Sequence, residues 1–224
     1  RHYAEMLADM LREYQLHHNS QGLVAIPFDT ELFGHWWFEG VEWLEQLVRA
    51  LSNRTDIALA TVSEVLEAIP PEATLRMPES TWGAGGHYWV WNNEQVSWMW
   101  PVIHERERAL EELVSRFAGT TEPLLTRALA QLGRELLLLQ SSDWPFLVTT
   151  GQAKDYAIER FREHQTRFDV LAGMLRDWEP HPMPSHAGPL GRGGIEVGLL
   201  QRYEDLDNPF EGLDYRLFAS RQGS

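Results

Sequence analysis

FDTELFGHWWFEG, residues 28–40, crowds carboxylates, a histidine and large aromatic rings into one short stretch, directly after the apolar run Leu23-Val24-Ala25-Ile26. That run, within GLVAIPF at 22–28, is short, apolar and partly β-branched, and reads as a buried strand. In an α/β layer the C-terminal ends of the strands face the substrate, so an acid just beyond one stands where catalytic groups stand. Asp29 is therefore the leading catalytic candidate. The alternative at this point is that Asp29 or Thr30 merely caps the helix that follows. His35 and Trp36 are candidates to line a cleft. Trp37 fits the apolar face of the next helix and reads as core, and Glu31 as a carboxylate on the helix surface.

Working outward, YAEMLADMLREYQL at 3–16 sets Met6, Leu7, Met10, Leu11 and Tyr14 at helical spacing. HWWFEGVEWLEQLVRAL at 35–51 places Trp37, Val41, Leu44, Leu47, Val48 and Leu51 on one helical face. DIALA at 56–60 reads as a second short strand. TVSEVLEAI at 61–69 reads as a helix with Thr61 as N-cap and Glu64 completing a capping box. Helix, strand, helix, strand, helix is the rhythm of a parallel α/β layer. The prolines of PPEATLRMPE, 70–79, mark a boundary near residue 72.

Beyond that boundary the strand signal ends. After the Gly-rich TWGAGGHYWVWNN at 81–93, three long helices are expected: about 94–118, from Pro123 through 140, and about 152–178. The middle one is apolar enough to lie at the centre of a bundle. The last sets Ala157, Phe161, His164, Phe168, Leu171, Leu175 and Trp178 at alternating steps of four and three, a bundle seam. EPHPMPSHAGPLGRGG at 179–194 reads as a Pro/Gly loop, and the last thirty residues as an ordered tail rather than a helix. The fold class is α/β plus all-α.

Composition limits the function. The 224 residues are 43% hydrophobic, enough for one domain or two small ones, and carry a formal charge of −14. Such acidity disfavours nucleic acid and anionic membranes, which are bound through Lys and Arg clusters. With no cysteine, disulfides and thiolate metal sites are excluded, which suits a reducing cytoplasm. No apolar stretch approaches the ~20 residues that span a bilayer. No signal peptide is visible at Arg1, although the chain opens inside what reads as a helix. The histidines at 17, 18, 87, 104, 164, 181 and 186 show no ligand spacing, and His164 reads as a satisfied core histidine. No metal and no cofactor is expected.

Ten tryptophans are well above ordinary usage, and flat rings are what sugars stack on. Gly83, Gly85 and Gly86 allow a tight turn beside Trp82, Trp89 and Trp91, and in an extended segment Trp89 and Trp91 would share a face. Plugging an internal interface is the other use for these rings. Trp98 and Trp100 read as packing. Asp143 and Trp144 follow the apolar central helix, where Asp143 either caps a turn or meets a ligand.

FDTELFGHWWFEG resembles the fourth conserved motif of glycoside hydrolase family 57, in the version typical of its 1,4-α-glucan branching enzymes. STWGAGGHYWVWNN, 80–93, resembles the fifth motif, and 137–171, LLLQSSDWPFLVTTGQAKDYAIERFREHQTRFDVL, is similar to the helical C-terminal domain of those enzymes. The resemblance covers only the C-terminal half of a family member. It implies that 1–72 is the C-terminal segment of a distorted (β/α)7 barrel, and 73–224 a helical-bundle domain that closes over the cleft. Within that domain, 80–93 would be a cleft-lining loop and 179–224 an extended tail. It implies a retaining mechanism with Asp29 as general acid/base. His35, Trp36, Trp82, Trp91, Asp143 and Trp144 are the residues expected to touch sugar.

The implied activity cleaves an α-1,4 bond in amylose or growing glycogen and transfers the fragment to a 6-hydroxyl, in the cytoplasm. The implied partners are the α-glucan and the N-terminal half of the same enzyme. The family's nucleophile, a glutamate of its third motif, and its His-Gln-Pro first motif do not occur in this sequence, so the chain alone is expected to be inactive. An α-amylase or 4-α-glucanotransferase of the same family is the nearest alternative. A non-catalytic glucan-binding or interaction module is the alternative of another class.

Overall fold

The capping box foreseen at Thr61 forms: its hydroxyl accepts from the Glu64 N–H at 3.3 Å, and the Glu64 carboxylate accepts from the Thr61 N–H at 2.7 Å. This computed structural model describes residues 1–71, 73–179 and 194–219, in two compact units, Arg1–Met77 and Pro78–Ser224.

The first unit holds α1 (His2–His18), α2 (Gly40–Ser52) and α3 (Val62–Ala68). Asn19 ends α1 in the left-handed region at φ 50°, its N–H bonded to Gln15 O, a conformation asparagine tolerates. Ala4 and Leu7 of α1 meet Leu47 and Leu51 of α2, and Val24, Ile26, Trp43 and Ile57 pack against them.

Two expectations for this unit are corrected. Neither 22–28 nor 56–60 forms a strand, and no strand occurs among the described residues. A strand exists only when a neighbour lies about 4.7–4.9 Å away to complete its ladder, and these two segments do not pair with each other. Burial along 22–26 nevertheless alternates, with Val24 and Ile26 half-buried and Leu23 and Ala25 exposed. The helix expected from His35 starts only at Gly40. Gly34 adopts φ +84° and Trp37 is extended, so 32–37 close a wide turn in which Trp37 N–H bonds Leu32 O at 2.8 Å.

The second unit holds α4 (Met99–Arg116), α5 (Pro123–Leu139), α6 (Asp143–Thr150), α7 (Lys154–Arg176) and α8 (Val197–Leu206). Every residue of α5 from Ala128 to Leu136 is buried, as befits a helix at a bundle's centre. The buried set of α7 contains the seam read from sequence, Ala157 through Leu175, while Trp178 packs half-buried just past its end.

The extended tail expected over 179–224 is corrected where it is described. α8 is a helix, and 215–218 form a tight helical turn with Tyr215 buried. α8 buries only Leu200, so it carries little periodicity of its own. Its order comes from docking, with Arg127 of α5 donating to Glu204 at 3.1 Å and Gln131 donating to Tyr203 O at 3.3 Å. Most of the Pro/Gly loop at 179–194, with His181 and His186, lies outside the described residues. Among the described residues no helix is long and apolar enough to cross a membrane.

Candidate active site

In the first unit, the segment after Ile26 is held by aromatic rings. Phe28 meets Phe33 at 5.4 Å and Trp43 at 6.0 Å between centroids, and Trp37 meets Trp43 at 5.0 Å, so the motif is anchored on α2. Gly40 lies tightly beneath this stack, where a Cβ would meet the Phe33 ring at 3.0 Å and the Trp37 ring at 3.1 Å. Trp37 is thus packing. His35 and Trp36 turn outward together, 5.2 Å apart and nearly perpendicular, with Trp36 70% exposed.

Asp29 is exposed at the start of the wide turn, where its carbonyl accepts from Leu32 N–H at 3.1 Å. Its carboxylate makes no hydrogen bond among the described residues. The N-cap of α2 is Glu39, and no side chain caps that helix. The cap reading of Asp29 therefore has no geometry behind it, and the carboxylate is free to meet a ligand.

In the second unit, the 81–93 loop and α4 line an open cavity of about 870 Å3, within the roughly 300–1,000 Å3 usual for small-molecule sites. Trp82 and Trp91 form its corner, 4.9 Å apart and at 85°. Thr81 stitches the loop: its hydroxyl donates to His87 O at 2.7 Å and accepts from Gly83 N–H at 3.0 Å. A Cβ on Gly83 would stand 2.9 Å from His87 O and 3.1 Å from the Trp91 ring, so only glycine lets the indole approach. Asn93 ties the loop to α6 through Thr149 Oγ1 at 2.8 Å. The Trp100 indole N–H donates to Trp91 O at 3.0 Å and fixes that residue from below.

The structure brings together Trp82 and Trp91, the pair that the resemblance singles out. It separates Trp89 from Trp91, because 88–90 form a tight helical turn rather than an extended run, and Trp89 is left 60% exposed outside the cavity. Ser142 reaches the cavity wall, whereas Asp143 and Trp144 do not. Asp143 is exposed in the first turn of α6 and accepts from Ser141 Oγ at 3.3 Å. Trp144 is half-buried, its N–H spent on Leu138 O at 2.7 Å and its ring stacked on His164. Sequence reasoning missed Trp100 and His104 as cavity residues. Their spacing of four on one helix was the available signal.

One buried cluster has metal-ligand chemistry: Glu135, His164 and Asp207 bring ligand atoms within 4.8 Å of one another. His164 Nδ1 lies 2.8 Å from Glu135, while Nη2 of Arg160 lies 3.2 Å from His164 Nε2 and 3.5 Å from Asp207. A guanidinium already supplies the positive charge there, so the cluster is a core network rather than a cation site.

The family model described as 1,4-alpha-glucan branching enzyme, C-terminal, matches residues 102–218. The chain belongs to this family. The 1,4-alpha-glucan branching enzyme TK1436 of Thermococcus kodakarensis is 40% identical over 211 residues, 94% of this chain and 29% of that protein. A probable 1,4-alpha-glucan branching enzyme of Mycobacterium tuberculosis, Rv3031, is 34% identical over 86% of this chain and 35% of its own.

Among solved structures, that of TK1436, described as a GH57 branching enzyme in complex with glucose and additives, aligns at TM-score 0.72 and 38% identity, covering 99% of this chain and 38% of that one. The alpha-amylase AmyC of Thermotoga maritima aligns at 0.63 and 30% identity, covering 98% and 38%. The chain spans about a third of the length of the relatives it matches. The family model lies wholly within the second unit, and the match to TK1436 reaches into the first.

Proposed function

We propose that this chain is the C-terminal part of a 1,4-α-glucan branching enzyme, with Asp29 as its general acid/base. What carries the reading is the 40% identity to TK1436 over 94% of the chain, which takes in both the Asp29 motif and the aromatic cavity. A retaining transfer needs two carboxylates roughly 5 Å apart. The nucleophile comes from the rest of the protein. As its carboxylate bonds to C1 of the donor sugar, the C1–O4 bond breaks and Asp29 gives its proton to the departing 4-oxygen. Asp29 then takes the proton of the acceptor's 6-hydroxyl as that oxygen displaces the nucleophile from C1.

His35 and Trp36 offer an exposed imidazole and indole beside the acid. Trp82 and Trp91 offer two perpendicular faces for glucose rings, and Asp143 offers a carboxylate beside Ser142 for a sugar hydroxyl, with Trp144 packed behind it. Residues 1–72 are the last segment of the (β/α)7 barrel. The one-sided burial of 22–26 and the exposed apolar side chains of Val41, Leu44 and Val48 on α2 and of Val62 and Leu66 on α3 are what such a segment shows before its neighbours cover it. The N-terminal part of the same enzyme is the partner that supplies this cover.

The test is Asp29→Asn in the full-length protein. Turnover of glucan, a poor leaving group, should fall about 10²- to 10⁴-fold. A glucosyl fluoride donor, which needs little protonation, should lose much less in the glycosylation step. Equal losses on both donors would assign Asp29 a structural role.

A further inference from the structure

We infer that His104 is a glucan-binding residue of the aromatic cavity, its ring oriented by Glu107 so that Nε2 is kept for a sugar hydroxyl. The inference rests on reading that cavity as a glucan site. His104 lies one helical turn beyond Trp100, and the two rings stack at 6.2 Å and 29°, both lining the cavity. Trp100 has already spent its N–H on Trp91 O and contributes only a ring face. Every indole in the cavity is a donor at best, yet a pyranose hydroxyl is both donor and acceptor. The tryptophans leave those hydroxyl protons to the polar residues of the lining, which are Thr81, Tyr88, Asn92, Ser97, Ser142 and His104.

Among these, His104 is the one whose ring is stacked on a lining tryptophan and tethered by a carboxylate. Its Nδ1 lies 2.9 Å from Oε2 of Glu107. A carboxylate only accepts, so Nδ1 carries a hydrogen, and a ring with that single hydrogen presents a lone pair at Nε2. Glu107 is itself clamped on its other oxygen by Gln140 Nε2 at 2.6 Å, at the C-terminal end of α5 and two residues before Ser142 of the cavity wall. The relay from Gln140 through Glu107 fixes the imidazole plane against the corner that Trp82 and Trp91 make. The indoles hold the faces of a glucose ring and the imidazole reads its edge, which selects the rotational setting of the bound sugar. Glu107 is a positioning residue and touches no sugar.

The experiment is titration calorimetry of the full-length protein with a linear maltooligosaccharide, using Trp91→Ala to mark binding at this cavity. His104→Phe keeps the ring and its stack on Trp100 but removes both nitrogens. It should weaken the Trp91-dependent affinity about 3- to 10-fold, the loss of one net hydrogen bond, with an unchanged melting temperature. His104→Ala should lose at least as much. Glu107→Ala should weaken binding in the wild-type background and add nothing in the His104→Phe background. If the wild type binds and Trp91→Ala abolishes it while His104→Phe binds normally, the role of His104 is overturned and the cavity reading survives. A loss with His104→Ala but not with His104→Phe also overturns it, since packing alone would then matter. If no binding depends on Trp91, the cavity reading fails and this inference with it.

Discussion

Replacing Glu135 by Gln changes one atom in the most buried polar network of the second unit, and the network predicts the cost. Glu135 and His164 are both 0% exposed. Arg160 can only donate, so His164 Nε2 accepts its bond at 3.2 Å and Nδ1 carries the hydrogen given to Glu135 Oε2 at 2.8 Å. Oε1 accepts from Gln131 Nε2 at 3.0 Å. Gln131 cannot turn over to help, because its amide nitrogen also serves Tyr203 O and Asp207 O while its oxygen accepts from Arg134. A glutamine at 135 must therefore aim its own NH2 at another N–H. One buried donor is left unsatisfied, which costs about 1–3 kcal/mol. Glu135→Ala strips the acceptor from two buried donors and leaves a void, for about 3–5 kcal/mol. Replacing Glu135 and His164 together by Leu should cost less than the two single changes summed, with a coupling of about 1–3 kcal/mol. Urea unfolding of the full chain followed by far-UV circular dichroism reads each value from the midpoint. A Glu135→Gln variant within about 0.5 kcal/mol of wild type, the spread of ordinary surface changes, would refute the assigned hydrogen directions.

Two further outcomes are expected. Gly83→Ala forces the loop away from His87 O and the Trp91 ring, so it should weaken Trp91-dependent glucan binding at least as much as His104→Phe does, while the melting temperature hardly moves; unchanged affinity in calorimetry would show that the corner is not held by that glycine. The Glu64 carboxyl is held below the usual carboxylate range by hydrogen bonds from the Thr61 backbone and then its hydroxyl, so the support it lends α3 is complete above the ordinary glutamate pKa and is lost as pH falls through the depressed folded value. Amide chemical shifts of Thr61 and Val65 followed against pH should move together below the ordinary carboxylate range in the wild type and lose that step in Glu64→Ala.

What could be read from the sequence was what neighbours along the chain decide. The seam on α7 was legible because Phe161, His164, Phe168 and Leu171 repeat at the helix period, and the cap at Thr61 because its partner lies three residues on. The strands at 22–28 and 56–60 were misread because pairing belongs to whatever lies alongside, which apolar patterning does not encode. The early start given to α2 ignored Gly34, whose positive φ turns the chain before the helix begins. α8 escaped notice because Leu200 alone is buried and the helix depends on Arg127 and Gln131, far away in sequence. In the candidate site, composition and glycine spacing pointed to Trp82, Trp89 and Trp91 together, and only the family resemblance singled out Trp82 and Trp91. Trp100 and His104 were missed because only the folding of the 81–93 loop onto α4 turns a packing face into a cavity wall.

The central claim is tested most directly by counting branch points. The full-length protein is incubated with linear amylose, and α-1,6 linkages are measured by proton NMR beside total reducing ends in one time course. The account predicts α-1,6 linkages accumulating with few new reducing ends, because transfer conserves their number, and the loss of both products in Asp29→Asn. Reducing ends rising without α-1,6 linkages, as hydrolysis by an α-amylase would give, or linear chains lengthening and shortening with no branch formed, would contradict it.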